Sequence, residues 1–79
     1  MSFPFGSTAF GTYLAWATSV GCECNNGYNS FTNTTCWRIT APSGRRVVVV
    51  DMEQSERLTT SMLNYLDRRL GLTSPFDRA

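Results

Sequence analysis

Two β-strand patterns joined by a tight turn constrain the fold of this chain more than any other feature of its sequence. Residues 34–40 alternate β-branched and aromatic side chains with others, and residues 45–50 end in four consecutive valines. Valine is apolar and stiff at χ1, so such a run suits a central strand that is covered on at least one face. Ala41-Pro42-Ser43-Gly44, between the two patterns, has the composition of a turn. We therefore predict an antiparallel β-hairpin.

The register of this hairpin decides which of its side chains are covered. We pair Thr40 with Arg45 across the turn. The residues on one face are then Trp37, Ile39, Val48 and Val50, and those on the other are Cys36, Arg38, Arg45, Val47 and Val49. We expect the face that contains Trp37 to meet the helices. The face that contains Cys36 and Arg38 is expected to be more open.

A helix is predicted before the hairpin, over residues 8–20. Its apolar side chains recur at spacings of three and four and so form one stripe. The residues of this stripe are Phe10, Tyr13, Leu14, Ala17 and Val20. Ser7 is a suitable N-cap, and Gly21 stands where a glycine in the left-handed conformation commonly ends a helix.

The segment between this helix and the hairpin is rich in Cys, Asn, Gly and Ser. Asn26-Gly27 is a strong turn signal. We expect one short strand beside that turn, at either residues 22–24 or residues 28–31, and the composition does not decide between these two positions.

A second amphipathic helix is predicted after the hairpin, capped by Asp51 or Ser55 and ending near Leu70. The apolar residues of its stripe are Leu58, Met62, Leu63, Tyr65, Leu66 and Leu70. Gly71 is expected to end the helix in the left-handed conformation. The charged side chains that suit the helix dipole are Glu53, Glu56, Arg68 and Arg69. We attribute the arginine pair at positions 68–69 to this favourable interaction with the helix dipole.

Together these elements predict an α+β fold of order α-β-β-β-α, with a small antiparallel sheet and two helices packed on one face. The 79 residues suffice for a single domain and exclude barrels and two-lobed dinucleotide-binding folds. Residues 1–6 form an N-terminal arm in this prediction. Residues 73–79 form a C-terminal tail that is either docked through Phe76 or frayed.

The absence of histidine is the most informative feature of the composition. The chain has seven basic residues, all arginine, against six acidic ones, for a net charge of +1. Without imidazole it lacks the commonest general base and the commonest metal ligand. A net charge near zero also gives no general attraction to nucleic acid. We therefore predict that the protein is not an enzyme and uses no cofactor or metal.

Three cysteines leave several alternatives open. With an odd number of thiols and no secretion signal or membrane-length apolar run, we expect a cytoplasmic protein with reduced cysteines. Cys36 is a candidate thiol site because the cation Arg38 shares its strand face, although a structural role is favoured. A zinc site is disfavoured because three thiols leave tetrahedral zinc one ligand short. A disulfide between Cys24 and Cys36, or one across a dimer, is a further alternative.

The hairpin resembles a stretch of the HicA family of small toxins. Residues 35–49 are similar to that family's strand, its Pro-Asp-Gly-type turn and its Arg-Arg-Val strand; they read TCWRITAPSGRRVVV. Further similar positions are Val20, Gly21, Leu58, Leu63, Leu66 and Gly71. The resemblance implies a double-stranded-RNA-binding-like fold, binding or cleavage of messenger RNA, and an antitoxin partner. Cys36 stands where the family has its catalytic histidine, so the ribonuclease activity is not carried over.

Two groups of residues are candidates for contact with a partner. They are Arg38, Arg45 and Arg46 in the hairpin, and Phe3, Phe5 and Phe31 in the arm and loops. The arginines are suited to phosphate groups, with Trp37 or Tyr28 stacking on a base. The phenylalanines exceed what a small core covers easily, so they are candidate anchors for a protein partner or a second copy.

These features predict a non-catalytic binding protein that acts by occupying a surface. In size and composition alone it resembles the small inhibitors encoded by phages and mobile elements, such as anti-CRISPR proteins. Such a protein would sterically block a bacterial nucleic-acid-handling complex in the host cytoplasm. A protein partner is favoured over nucleic acid. The alternatives are a divergent HicA-like toxin and a homodimer with a structural or regulatory role.

Overall fold

The chain folds in the order that the sequence predicts. The computed structural model describes residues 8–76. The elements are helix α1 (Phe10–Ser19), strands β1 (Glu23–Asn29), β2 (Thr34–Thr40) and β3 (Arg46–Val50), and helix α2 (Thr60–Leu70). The predicted α+β class and the order α-β-β-β-α are confirmed. The predicted arm and the Ser7 cap lie outside the described residues. Between residues 8 and 76, no helix is long and apolar enough to cross a membrane.

The sheet is antiparallel with strand order β1-β2-β3, and its β2–β3 register differs by one residue from the prediction. Thr40 pairs with Arg46 rather than with Arg45. The cause is Gly44, whose φ of 96° completes a three-residue loop closed by a bond of 2.7 Å from the Ala41 N–H to the Arg45 carbonyl. A shift of one residue moves every side chain of a strand to the other face.

The shift changes which valines are covered. Val47 and Val49 lie opposite Ile39 and Trp37 on the face that meets the helices. Val48 and Val50 lie on the open face with Cys36 and Arg38 and are exposed; the prediction that they are covered was wrong. The prediction that Trp37 faces the helices and that Cys36 and Arg38 lie on the more open face is confirmed.

Strand β1 passes straight through the predicted turn at Asn26-Gly27. Asn26 pairs with Trp37, and Gly27 pairs with Cys36. The chain turns instead at residues 30–33, where Asn33 takes the left-handed conformation with a φ of 57°. Pairing with β2 along all seven residues outweighs the local turn preference, and the missing side chain of Gly27 leaves room for the Cys36 thiol.

Both helices pack on one face of the sheet around a single apolar core. The buried residues of this core are Phe10, Tyr13, Leu14, Ala17, Cys22, Ile39, Ala41, Val47, Leu58, Leu63, Leu66 and Leu70. The predicted α1 stripe is confirmed apart from Val20, which lies beyond the helix end and is 42% exposed. In the predicted α2 stripe Tyr65 is exposed as well.

Helix α1 begins without a side-chain cap, because the loop between β3 and α2 satisfies its first amides. The Phe10 N–H donates to the Glu56 carbonyl at 2.8 Å, and the Gly11 N–H donates to the Gln54 carbonyl at 2.9 Å. A Cβ at position 11 would lie 3.1 Å from the Gln54 Cβ, so the close approach of this loop favours a glycine within α1.

Helix α2 begins later than predicted because carbonyl groups within residues 51–58 accept hydrogen bonds from the start of α1. Neither Asp51 nor Ser55 caps it; the N-cap is Thr59, whose hydroxyl accepts from the Met62 N–H at 3.2 Å. Asp51 has a φ of 56°, which turns the chain away from β3 and is incompatible with a helix start at that point. The predicted left-handed stop at Gly71 is confirmed by its φ of 69°.

A buried carboxylate joins α1, α2 and the C-terminal segment. Asp67 is 7% exposed and accepts a bond of 2.7 Å from the Tyr13 hydroxyl. Its other oxygen accepts from the Ser74 N–H and hydroxyl at 3.0 and 2.9 Å. The Phe76 ring packs on Tyr13 and Trp16 with centroid distances of 6.0 Å each. Of the two alternatives for the tail, docking through Phe76 is therefore the one observed.

Candidate functional site

Four arginines from two distant parts of the sequence meet at one end of the molecule. The β2–β3 turn places Arg45 and Arg46 at the start of β3. Helix α2 runs back along β3, so Arg68 and Arg69 in its last turn arrive beside that start. All four are exposed and line a shallow depression of about 420 Å³. We call these four residues the arginine surface.

The glycine that ends α2 also positions one of the arginines. A Cβ at position 71 would lie 3.2 Å from the Cδ of Arg45, so the arginine stem rests against the bare glycine backbone. The Gly71 N–H donates to the Arg68 carbonyl, and the Leu72 N–H donates to the Asp67 carbonyl. This left-handed cap therefore brings the end of α2 close to the start of β3.

The charge of the arginine surface exceeds what the fold requires. Among residues 8–76, no carboxylate forms an ion pair with any of the four guanidinium groups. The C-terminal end of a helix carries the equivalent of roughly half a negative charge, which accounts for at most one of them. Guanidinium groups are planar forks of N–H donors that bind phosphate or carboxylate through paired hydrogen bonds. The surface is thus suited to an anion with several charges.

Arg38 and Cys36 lie on the open face of the sheet and do not line the depression of the arginine surface. They border a depression of about 250 Å³ that is lined by Asn25, Asn26, Gly27, Cys36, Arg38 and Val48. No carboxylate is among these lining residues, but Cys36 also lines a neighbouring depression of about 470 Å³ that contains Asp51. Arg38 therefore does not line the depression of the arginine surface, although it shares the open face with Arg46, which precedes its pairing partner Val48 by two residues.

The predicted aromatic contacts are also dispersed. Trp37 packs edge-on against Phe10 on the helix face at a centroid distance of 6.3 Å, so it does not lie beside Arg38. Tyr28 is exposed, and its hydroxyl donates to the side-chain oxygen of Asn33. Phe31 is fully exposed in the β1–β2 turn, at the end of the sheet away from the arginine surface. Phe3 and Phe5 lie outside the described residues.

The three thiols are free and are arranged singly. Cys24 shares the helix face with its pairing partner Ile39, whereas Cys36 lies on the open face beside Gly27. The alternative of a Cys24–Cys36 disulfide is therefore wrong, because the two side chains point to opposite sides of the sheet. Within residues 8–76, no group of three His, Cys, Asp or Glu side chains is placed to hold a metal ion.

Cys22 gives the fold a pH dependence at the alkaline end. Burial raises the pKa of its thiol above the ordinary value of 9.0, and the neighbouring Cys24 raises it further. Above about pH 9 the unfolded chain loses this proton before the folded chain does, so the free energy of unfolding falls as pH rises. We expect chemical denaturation of Cys22→Ala to show a weaker decline between about pH 8 and 10 than wild type. Equal slopes for the two proteins would contradict this account.

The sequence interpretation places Arg68 and Arg69 correctly in the last turn of α2 but does not bring them together with Arg45 and Arg46. Arg68 and Arg69 were attributed to the helix dipole alone, and Arg45 and Arg46 to an edge of the hairpin. Two separate Arg-Arg pairs in a chain without lysine were the available signal. Their meeting depends on the direction in which α2 returns along β3, and the composition of either segment does not encode that direction.

A scan against protein-family models, a search of curated proteins and a search of solved structures each returned no match to this chain.

Proposed function

We propose that the protein is a non-catalytic binding protein that holds the phosphate backbone of a nucleic acid on the arginine surface. The observation that carries this proposal is the meeting of four exposed guanidinium groups that lack carboxylate partners among residues 8–76. Contacts of this kind position a protein on nucleic acid without reading its sequence. The net charge of +1 spreads no general field, so binding is confined to this end of the molecule.

The protein acts by occupancy in this proposal. The chain has no histidine and so lacks the commonest general base. A small domain that is bound to the phosphate backbone excludes larger proteins from the same stretch of nucleic acid. The phage or mobile-element inhibitor that the composition predicts also acts sterically, but by occupying a site on a bacterial nucleic-acid-handling complex; the present proposal places the contact on the nucleic acid instead. We place the protein in the cytoplasm, where its three free thiols stay reduced.

Fluorescence anisotropy with a short labelled DNA duplex tests this proposal. We expect wild type to bind at about 50 mM salt, and Arg69→Gln to bind about five- to tenfold more weakly, because a charge-assisted contact is lost. Arg57→Gln removes the same charge from an exposed residue that precedes α2, at the opposite end of this helix from Arg68 and Arg69, and is the matched control, with affinity within about twofold of wild type. The proposal fails if wild type binds only a purified protein complex and no naked nucleic acid, or if both variants lose affinity equally.

A divergent HicA-like toxin is the second candidate. The observation that favours it is the element order α1-β1-β2-β3-α2, which is the order that the resemblance implies. This candidate predicts growth arrest on expression and the loss of that arrest in Cys36→Ala. Harmless expression, together with intact messenger RNA, would rule it out in favour of the first proposal.

A further inference from the structure

Among residues 8–76, strand β3 has one unpaired side, because the strand order places it at an edge of the sheet. The Ala41 N–H donates to the Arg45 carbonyl, and the Asp51 N–H donates to the Thr35 carbonyl. The alternation of an antiparallel ladder then directs the N–H and carbonyl groups of Val47 and Val49 toward β2. Those of Arg46, Val48 and Val50 therefore point away from the sheet. Within residues 8–76, no hydrogen bond uses these outward groups.

An apolar groove runs beside this edge, between β3 and α2. It holds about 270 Å³ and is lined by Val48, Val49, Val50, Met52, Met62, Tyr65 and Leu66. Val48, Val50 and Tyr65 are 52%, 63% and 54% exposed. Natural sheets protect edge strands with lysine, proline or bulges, and residues 47–50 of β3 carry none of these. The opposite edge, β1, is polar and is interrupted by Gly27, so it lacks a comparable apolar strip.

We propose that this edge binds the same edge of a second copy of the chain, in antiparallel orientation about a two-fold axis at Val48. In that register Val48 meets Val48 of the second copy, and Arg46 meets Val50. All three residues with outward-facing backbone groups then form hydrogen-bonded pairs, and all five residues of β3 overlap. The two sheets become one sheet of six strands, and the two grooves face each other across the axis.

Charge complementarity favours a second copy over an unrelated strand. Arg45 and Arg46 stand at one end of β3, and Asp51 follows the other end. Antiparallel self-pairing places Arg45 of each copy opposite Asp51 of the other, once at each end of the interface. One carboxylate against four guanidinium groups leaves the arginine surface positive. The proposal goes beyond the proposed function and is tested without nucleic acid, so the two can fail separately.

Sedimentation equilibrium of the full chain tests the dimer. We expect wild type to sediment at twice the 8.8 kDa chain mass and Val48→Pro to sediment at 8.8 kDa. Proline removes an N–H that faces away from β2, so no bond within the chain is lost. Val48→Thr keeps the N–H and the shape and is the matched control, which should remain dimeric. A monomeric wild type at about millimolar concentration, or a Val48→Pro protein that is still dimeric, would overturn the proposal.

Amide hydrogen exchange on the unmodified chain gives a second reading in case Val48→Pro does not fold. In the dimer, the amides of Arg46, Val48 and Val50 are as protected as those of Val47 and Val49, and this protection falls on dilution. Exchange of the three outward amides at the rate of unbonded groups, at the highest concentration, would overturn the proposal as well.

Discussion

Replacing Asp67 by alanine is expected to lower the free energy of unfolding by about 3 kcal/mol and the melting temperature by roughly 12–24 °C. The substitution removes the acceptor of the buried Tyr13 hydroxyl and of both donors of Ser74. Three lost hydrogen bonds at about 1 kcal/mol each account for this loss. A domain of this length has a total stability of roughly 4–12 kcal/mol, so this one carboxylate supports a large share of it.

Thermal unfolding followed by circular dichroism measures this effect, and two variants define its origin. Glu53→Ala removes an exposed carboxylate and should change stability by less than about 0.5 kcal/mol. Tyr13→Phe removes one of the donors while Asp67 keeps those of Ser74, so its loss should be near 1 kcal/mol. If Asp67→Ala melts as Glu53→Ala does, the carboxylate does not join the helices to the C-terminal segment.

Reversing the charge of both helix arginines should nearly abolish binding to nucleic acid. Arg68→Glu with Arg69→Glu removes two of the four guanidinium groups and adds two carboxylates beside Arg45 and Arg46. Two lost charge-assisted contacts and two new repulsions with phosphate amount to more than about 3 kcal/mol, or a loss of affinity above roughly 100-fold. Anisotropy with the same labelled duplex measures this loss.

The reversal also disturbs the helix, and the control must separate the two effects. Acidic residues at a helix C-terminus cost about 0.3–1 kcal/mol each, so binding is measured well below the melting temperature. The neutral pair Arg68→Gln and Arg69→Gln should retain more stability while losing roughly 20- to 100-fold in affinity. A folded double-glutamate variant that binds the duplex as tightly as wild type would show that the arginine surface does not bind nucleic acid.

The sequence predicts the elements of this fold better than it predicts their alignment. The alternation in residues 34–40, the stripe of α1 and the stop at Gly71 are local patterns, and the structure follows them. The register of β3 depends on whether Gly44 enters the left-handed conformation. Both hairpin registers satisfy the turn composition, and the observed register also places Val47 and Val49 against the helices.

Tertiary contacts determine the features that the sequence hides. Residues 51–58 read as the first turns of a helix, but their carbonyls are needed to satisfy the amides that begin α1. Asp67 is an acidic residue among apolar neighbours, and its partners lie 54 and 7 residues away. The arginine surface likewise joins two pairs that local patterns explain separately. Local sequence patterns identify these charged residues but do not indicate which distant residues they contact.

The salt dependence of duplex binding by the wild-type chain tests most directly whether the arginine surface binds phosphate groups. Each phosphate neutralised by an arginine contributes about −0.9 to the slope of log K against log salt concentration. Four arginines acting together predict a slope near −3.6, or about −2.7 where Arg45 is paired with Asp51 of a second copy, measured by anisotropy from about 50 to about 200 mM salt. A slope shallower than about −1, or no binding at the lowest salt, would show that the four arginines do not form a phosphate-binding surface.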